Sequence, residues 1–171
     1  MRSLSTHTNL APVPFQLLGR RPTLPSGPEW LFERKFDGYR AQIVSRGREI
    51  RVFTRGHQDW THRVPHIVAA AGELGRDFAL DGEICATTDD GRTALSWLSD
   101  PASHSARIVF HAFDLLSLDR LPLNERPLLQ RKELLSDLFR GGWGLRTWVG
   151  KAGPNTSKID RGQWWMRCGF L

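Results

Sequence analysis

The spacing of apolar and polar residues predicts β-structure in the first third of the chain. Aromatic residues alternate with mostly charged neighbours between residues 29 and 37, with the period of two expected for a strand. Two further runs of this kind, residues 39–45 and 49–54, flank a turn centred on Gly47 and predict a hairpin. The fold is therefore expected to begin with antiparallel strands.

After the hairpin, the periodicity alternates between that of a helix and that of a strand. The predicted elements are, in order, a helix at 62–74 ending at Gly75, a strand at 78–86 interrupted at Asp81-Gly82, a turn at 89–91, a strand at 107–116 and a helix at 125–139. Asn124 is expected to cap this last helix, with Pro127 in its first turn and Leu128, Leu135 and Leu138 facing inward. This order predicts an α+β domain with mostly antiparallel sheets and flanking helices.

Composition divides the chain into three segments. Residues 1–28 are rich in proline and have no period, so we expect an extended N-terminal lead-in. Residues 29–140 hold all of the predicted elements. Residues 141–171 have no period either, and combine five basic residues and one acidic residue with four of the seven tryptophans. This atypical tail is expected to be either the product of a changed reading frame or disordered.

Composition also excludes several classes of protein. With 171 residues, 40% of them hydrophobic and 25% charged, the sequence is typical of a single globular domain. No apolar stretch reaches the roughly 20 residues of a membrane-spanning helix. Two cysteines, Cys85 and Cys168, cannot form a disulfide framework, and no Cys/His spacing is typical of zinc. A membrane protein, a secreted mini-protein and a zinc finger are therefore excluded.

The distribution of charge changes how the basic composition is interpreted. The formal net charge is +6, which by itself suggests an acidic partner such as nucleic acid. Residues 1–140 hold 19 bases and 17 acids, however, so most of the excess lies in the tail. A more specific feature is the scarcity of lysine: Lys35 is the only lysine in the first 131 residues.

Lys35 lies within the segment Glu33-Arg34-Lys35-Phe36-Asp37-Gly38-Tyr39-Arg40, which has two interpretations. Regular alternation would put Glu33, Lys35 and Asp37 on one face of a strand. The simpler interpretation is a solvated edge strand with a lysine–carboxylate pair. The functional one is a lysine nucleophile, whose reactive uncharged amine would be favoured by neighbouring cations such as Arg34 and Arg40.

Three later segments add candidate ligands for a phosphate or a nucleoside. Arg55, at the end of a hairpin strand, suits bidentate contact with phosphate, or is a surface residue before a turn. Asp81 and Glu83 flank a glycine, which suits a hard cation or ribose hydroxyls but equally a plain turn. Phe113 could stack on a base or belong to the core, and His111 could be a base or a buried, hydrogen-bonded residue.

Taken together, the order and spacing of these segments resemble the ATP-dependent DNA ligases of the bacterial end-joining type. The resemblance covers about Leu24 to Leu138. Besides the K-x-D-G-x-R segment it rests on Pro25–Trp30, Phe53–Gly56, Asp59–Thr61, Leu80–Glu83, Phe113–Leu116 and Leu121–Arg126. Related capping enzymes match less well at Pro25–Trp30 and Asp59–Thr61. The resemblance implies a partial, ATP-grasp-like adenylation domain without an oligonucleotide-binding barrel.

The resemblance also implies a reaction and a set of site residues. Lys35 would attack the α-phosphate of ATP, AMP would pass to a DNA 5′-phosphate, and a 3′-hydroxyl would seal the nick. Lys35 and Asp37 would be catalytic, and the nucleotide site would consist of Glu33, Arg40, Arg55, Glu83 and Phe113, with Glu83 also a ligand of Mg²⁺ or Mn²⁺. The implied protein is a cytoplasmic, nucleoid-associated bacterial monomer that acts on nicked double-stranded DNA, with end-joining repair proteins as further partners.

The resemblance weakens after the predicted final helix. The family continues with one strand that carries a glutamate and a later lysine, and another that carries two closely spaced lysines. Neither is recognisable in residues 141–171, where Lys151 and Lys158 are seven residues apart. The alternative expectation is therefore a non-catalytic, truncated fragment that at most binds nucleotide or DNA.

Overall fold

The structure is a computed structural model that describes residues 10–16 and 31–139, together with three short strands in the tail. The strands are β1 (Leu31–Arg34), β2 (Tyr39–Arg46), β3 (Glu49–Thr54), β4 (Phe78–Thr88), β5 (Ala106–Leu118), β6 (Leu121–Pro122), β7 (Leu145–Thr147), β8 (Lys151–Ala152) and β9 (Trp164–Arg167), and the helices are α1 (Pro65–Gly72) and α2 (Leu128–Leu138). Short 3-10 turns lie at Thr61–Arg63, Leu95–Ser99 and Ala102–His104. The predicted α+β class with mostly antiparallel sheets is confirmed.

The larger sheet is built on the predicted hairpin. Strands β2 and β3 pair in antiparallel register from Ala41 opposite Thr54 to Arg46 opposite Glu49. Gly47 forms the turn with a φ of 61°, a conformation that glycine adopts at no steric cost. The sheet continues in the order β3-β2-β4-β5-β6, and β7 pairs in parallel with β5.

Strand β4 runs without a break through Asp81-Gly82, where the sequence predicted an interruption. Its pairing with β5 has two register shifts, one between Ala79 and Leu80 and one between Asp81 and Gly82. Asp81 pairs with Asp114 and Gly82 pairs with Ala112, so Phe113 is the extra residue of a β-bulge. Gly82 is needed for close packing, since a Cβ atom there would lie 2.3 Å from the Phe110 ring. The bulge leaves Phe113 partly exposed between buried neighbours.

The two faces of this sheet differ in polarity. One face carries the core, in which buried residues of β2, β4 and β5 pack with both helices: Ala41, Ile43, Leu80, Ile84, Phe110, Ala112, Ile67 of α1 and Leu135 of α2. Alternation along the same strands puts polar residues on the other face, among them Arg40, Asp81 and Glu83. Packing of the apolar face in the core therefore fixes the strands that carry these polar residues on their other face.

Both helices are shorter than predicted, and proline accounts for each start. Pro65 occupies the first turn of α1, so the predicted helix at 62–74 divides into a 3-10 turn and a helix of eight residues. Helix α2 begins after Pro127, and Asn124 does not cap it. None of the described helices is long and apolar enough to cross a membrane.

A smaller sheet links β1 to the tail. Strand β1 lies between β8 and β9 and pairs antiparallel with both. The sequence predicted no strands after residue 140, because the tail has no period of two; the pairing with β1 and β5 supplies the order that local pattern lacks. Most of the predicted lead-in lies outside the described residues, and residues 10–16 are described without regular secondary structure.

Candidate functional site

The segment that carries Lys35 is a loop between two sheets. Strand β1 ends at Arg34, so Lys35 and Asp37 lie in the loop before β2, beyond the strand on which alternation placed them. Gly38 fixes the path of this loop, because a Cβ atom at that position would lie 2.1 Å from the carbonyl oxygen of Ile84. The end of the loop that carries Lys35 is thereby held against β4.

Asp37 connects Lys35 to the long segment between β4 and β5. One carboxylate oxygen of Asp37 lies 3.8 Å from Nζ of Lys35. The other oxygen accepts a hydrogen bond of 3.1 Å from the backbone N–H of Leu95, and the N–H of Asp37 donates to the hydroxyl of Thr93 at 3.3 Å. Asp37 is about half exposed and contacts both Lys35 and the segment that contains Thr93 and Leu95.

The guanidinium of Arg40 makes three hydrogen bonds and lies near two aromatic rings. Its guanidinium donates to both carboxylate oxygens of Asp81, at 3.1 and 2.8 Å. A third hydrogen bond of 2.8 Å goes to the carbonyl oxygen of Gln16. The guanidinium carbon lies 5.8 Å from the centre of the Phe113 ring and 5.4 Å from that of Phe15. These contacts hold a positive charge beside the aromatic ring that was predicted to stack on adenine.

Glu83 lies opposite Arg40 in the register of β2 and β4. Burial raises the pKa of its carboxyl group from the ordinary value of 4.5 to about 7, although the charge of Arg40 and the N–H of Gly38 act in the opposite direction. Neighbouring Asp81 raises it further, and the charge of Lys35 lowers it. Glu83 can therefore exchange a proton near neutral pH when a cation or hydroxyl group approaches.

The pKa of Glu83 predicts how stability depends on pH. The folded protein keeps this proton between about pH 4.5 and 7, whereas the unfolded chain releases it. The free energy of unfolding should therefore fall across this range, by an amount on the order of 3 kcal/mol, and Glu83→Gln should remove this contribution. Urea unfolding of the nucleotide- and metal-free protein at pH 5 and pH 8 measures the difference.

The matched control for this experiment is Glu125→Gln, because Glu125 is exposed. The Glu125→Gln variant should show the same decrease in the free energy of unfolding between pH 5 and pH 8 as the unaltered protein. An unchanged loss in the Glu83→Gln variant would show that the Glu83 proton is not retained in the folded state.

Glu33 is buried and lies in an ion pair that the sequence did not predict. Its exposed fraction is 5%, and it accepts a hydrogen bond from Nζ of Lys132, whose exposed fraction is 0%. A signal for Lys132 was present: it lies four residues after Leu128 and three before Leu135, on the apolar face of α2. The pair links β1 to α2.

Arg55 and His111 are the remaining candidate residues named from the sequence. The Arg55 side chain is exposed, and its backbone N–H donates to the carbonyl oxygen of Arg40 at 2.9 Å, which joins the end of β3 to the site. His111 is buried, lies 2.9 Å from the hydroxyl of Thr87 through Nε2, and stacks on Phe36 with 4.2 Å between ring centres. The interpretation of His111 as a buried, hydrogen-bonded residue fits this geometry.

The structure thus brings most of the predicted site residues to one region. Lys35, Asp37, Arg40, Glu83 and Phe113 lie around the start of β2 and the neighbouring parts of β4 and β5. Sequence reasoning missed the part played by Phe15 and Gln16, because the lead-in has no period. Asp81 was predicted as a ligand of a cation or of ribose hydroxyls, or as part of a turn; its contact with Arg40 depends on strand register.

The comparison with known families agrees with this arrangement. The sequence profile described as ATP dependent DNA ligase domain matches residues 23–160 of the chain. The match extends past the end of α2 and includes β7 and β8. It therefore covers the larger sheet, both helices and the loop that carries Lys35.

Similar proteins have names from the same family. The chain is 32% identical over 120 residues to the multifunctional non-homologous end joining protein LigD of Pseudomonas aeruginosa, which covers 68% of this chain and 14% of that protein. It is 36% identical over 115 residues to a probable DNA ligase of a Mycobacterium species, covering 63% of this chain and 22% of that protein. The chain spans less than a quarter of the length of each of these two relatives.

Solved structures show the same fold. The ligase domain of M. tuberculosis LigD superposes with a TM-score of 0.66 at 28% identity, covering 75% of this chain and 43% of that one. The structure of a mycobacterial DNA ligase D complexed with ATP and MES superposes with the same TM-score and identity, and the match covers 75% of this chain and 42% of the ligase chain. Since the family profile matches well over half of the sequence and the strand framework agrees, the chain belongs to the ATP-dependent DNA ligase domain family.

Proposed function

We propose that this chain carries the adenylation site of an ATP-dependent DNA ligase of the end-joining type. The observation that carries the proposal is the position of Lys35, beside Asp37 on a loop held against β4 and close to Arg40 and Glu83. In the proposed reaction the amine of Lys35 attacks the α-phosphate of ATP. A P–N bond forms, the bond to pyrophosphate breaks, and the amine releases its proton to solvent.

The remaining site residues would position the nucleotide and balance its charge. Phe113 is partly exposed and would stack on the adenine, while Arg40 and the exposed Arg55 would contact ribose and phosphates. Glu83 would bind the ribose hydroxyls or a cation. Glu33 would lie beside the adenine with its carboxylate held by Lys132. Positioned cations stabilise the negative charge that develops on the transferred phosphoryl group.

A divalent cation, Mg²⁺ or Mn²⁺, fits this site as a companion of the triphosphate. Among the described residues, no three His, Cys, Asp or Glu side chains form a cluster that could hold a metal ion. Magnesium in nucleotide sites is commonly bound by one or two carboxylates together with phosphate oxygens, and Glu83 supplies such a carboxylate. When bound, the ion would neutralise phosphate charge.

The later steps of the proposed function involve DNA. AMP would pass from Lys35 to the 5′-phosphate of a nick in double-stranded DNA, and attack by the 3′-hydroxyl would release AMP and join the strands. Support comes from the similarity to LigD, named as a non-homologous end joining protein. We accordingly propose a cytoplasmic, nucleoid-associated DNA repair enzyme, with end-joining repair proteins as partners.

The test is self-adenylation of the purified chain. The protein is incubated with ATP labelled at the α-phosphate and with Mg²⁺ or Mn²⁺, and protein-bound label and released pyrophosphate are measured. We expect one labelled phosphoramidate per chain at most, lost on acid treatment and stable in base. Label that resists acid, or an absence of label under both metals, would contradict the proposal.

A second candidate is a fragment that binds nucleotide without reacting. It is favoured by the sequence after α2, where Lys151 and Lys158 are seven residues apart and no two lysines are closely spaced. Equilibrium binding of ATP without formation of labelled protein would support this candidate. The two measurements on one protein preparation therefore distinguish the proposed enzyme from a binding fragment.

A further inference from the structure

The N-terminal segment at residues 10–16 contacts the candidate nucleotide site. Gln16 accepts a hydrogen bond of 2.8 Å from Nη1 of Arg40 through its backbone carbonyl. The ring centre of Phe15 lies 5.4 Å from the guanidinium carbon of Arg40. Phe15 also contacts the ring of His57 edge-on, with 6.1 Å between ring centres. Two adjacent residues of this segment thus contact one cation of the site.

These contacts complete the surroundings of the Arg40 guanidinium. Asp81 holds one edge with two hydrogen bonds, and Gln16 accepts a third from the remaining terminal nitrogen. The Phe113 ring lies 5.8 Å from the same guanidinium carbon. A guanidinium is planar and delocalised, so hydrogen bonds along its edge fix its position while aromatic rings favour contact with its face. Together these contacts determine both the position and the tilt of the group.

We propose that Phe15 is a positioning residue that orients the guanidinium of Arg40 for nucleotide binding. The inference rests on the proposed function, in which Arg40 contacts the nucleotide. The two hydrogen bonds to Asp81 lie along one edge of the guanidinium, so they hold that edge in place and resist tilting of the plane about it less strongly. The Phe15 ring opposes this rotation and leaves the outward N–H groups available to ribose or phosphate oxygens.

Charge and exposure agree with a positioning role. The Arg40 side chain is 15% exposed and that of Asp81 is 2% exposed, so the pair is shielded from water but still open on one side. Phe15 is partly exposed, as expected for a residue at the edge of a binding site and not in a core. Cation–π contacts at partly exposed positions contribute modestly, which favours tuning of Arg40 over support of the whole fold.

The test is a double-mutant cycle on equilibrium ATP binding, measured by calorimetry without divalent metal so that no reaction occurs. Phe15→Leu removes the aromatic face but keeps an apolar side chain, and should weaken ATP binding about 2- to 10-fold. Arg40→Lys removes the planar group that Phe15 orients. If Phe15 acts through Arg40, the double variant should bind ATP no more weakly than Arg40→Lys alone.

Two further variants make the outcome specific. Phe15→Trp keeps an aromatic face and should bind ATP within about twofold of the unaltered protein. Phe139→Leu makes the same substitution at a partly buried residue next to α2 and should leave ATP binding unchanged. Melting temperatures of all variants show whether each one folds.

Each result has a defined meaning. Additive effects of Phe15→Leu and Arg40→Lys, unchanged binding in Phe15→Leu, or equal losses in Phe15→Leu and Phe15→Trp would overturn the positioning role. Tighter binding in Phe15→Leu would also overturn it, and would show that Phe15 obstructs the site. Failure of the unaltered protein both to bind ATP in this assay and to become labelled by ATP with Mg²⁺ or Mn²⁺ would instead refute the proposed function on which the inference rests.

Discussion

Replacement of Lys35 by arginine is expected to abolish labelling of the chain by ATP. Arginine keeps the positive charge and the distance to Asp37 can be preserved, so the fold and the charge of the site should change little. A guanidinium stays protonated in proteins and has no lone pair suited to attack on phosphorus, whereas a lysine amine becomes a nucleophile once its proton is lost. Protein-bound label after acid-free precipitation measures the effect.

Lys158→Arg is the matched control, because it makes the same substitution at another of the four lysines. It should be labelled as strongly as the unaltered protein. Unchanged melting temperature in Lys35→Arg would show that lost labelling is a chemical effect. Retained labelling in that variant would mean that a different residue accepts AMP, and the assignment of the nucleophile would be wrong.

Replacement of Lys132 by methionine is expected to have the largest effect on stability. Methionine matches the length of the lysine side chain but leaves the carboxylate of Glu33 buried without its cationic partner. Breaking a buried ion pair from one side typically costs about 3–5 kcal/mol, because the remaining charge keeps its full cost of desolvation. Urea unfolding followed by circular dichroism measures this loss.

A second substitution tests the cause of that loss. Lys132→Met combined with Glu33→Leu replaces the pair by two apolar residues and should recover most of the free energy of unfolding. Arg92→Met is the exposed control: Arg92 pairs with Asp90 where both side chains are more than half exposed, so it should cost far less. If Lys132→Met were no more costly than Arg92→Met, the pair would not be buried as described.

The pair of Glu33 and Lys132 also bears on the position of Lys35. Among the strands that the structure describes, β1 makes backbone pairs with β8 and β9 and none with the larger sheet. The ion pair connects β1 to α2, which itself packs on the core of the larger sheet. Lys35 follows one residue after the end of β1, so its position depends on anchors on both sides: Glu33 before it and Gly38 after it.

Local pattern predicted the elements wherever one face of a strand or helix is consistently apolar. The hairpin of β2 and β3 was predicted to within one residue of its bounds, because alternation and a turn glycine indicate the same register. Strands β7, β8 and β9 were not predicted, because their order depends on pairing with β1 and β5 across the chain. Both helices were predicted to start three residues too early: α1 begins at Pro65, and Pro127 precedes α2 and does not lie in its first turn.

The amino-acid sequence by itself determined the family, the fold class and the candidate nucleophile, because order and spacing of short motifs are properties of the chain. Only the tertiary structure decided which groups face each other. The register of β2 and β4 puts Arg40 opposite Glu83 and within hydrogen-bonding distance of Asp81, and burial in the sheet raises the pKa of Glu83. Helix packing gives Glu33 its partner, and the docking of residues 15 and 16 completes the contacts of Arg40. Hydrogen bonds and desolvation depend on distances of a few ångströms between residues far apart in sequence, and local periodicity carries no information on those distances.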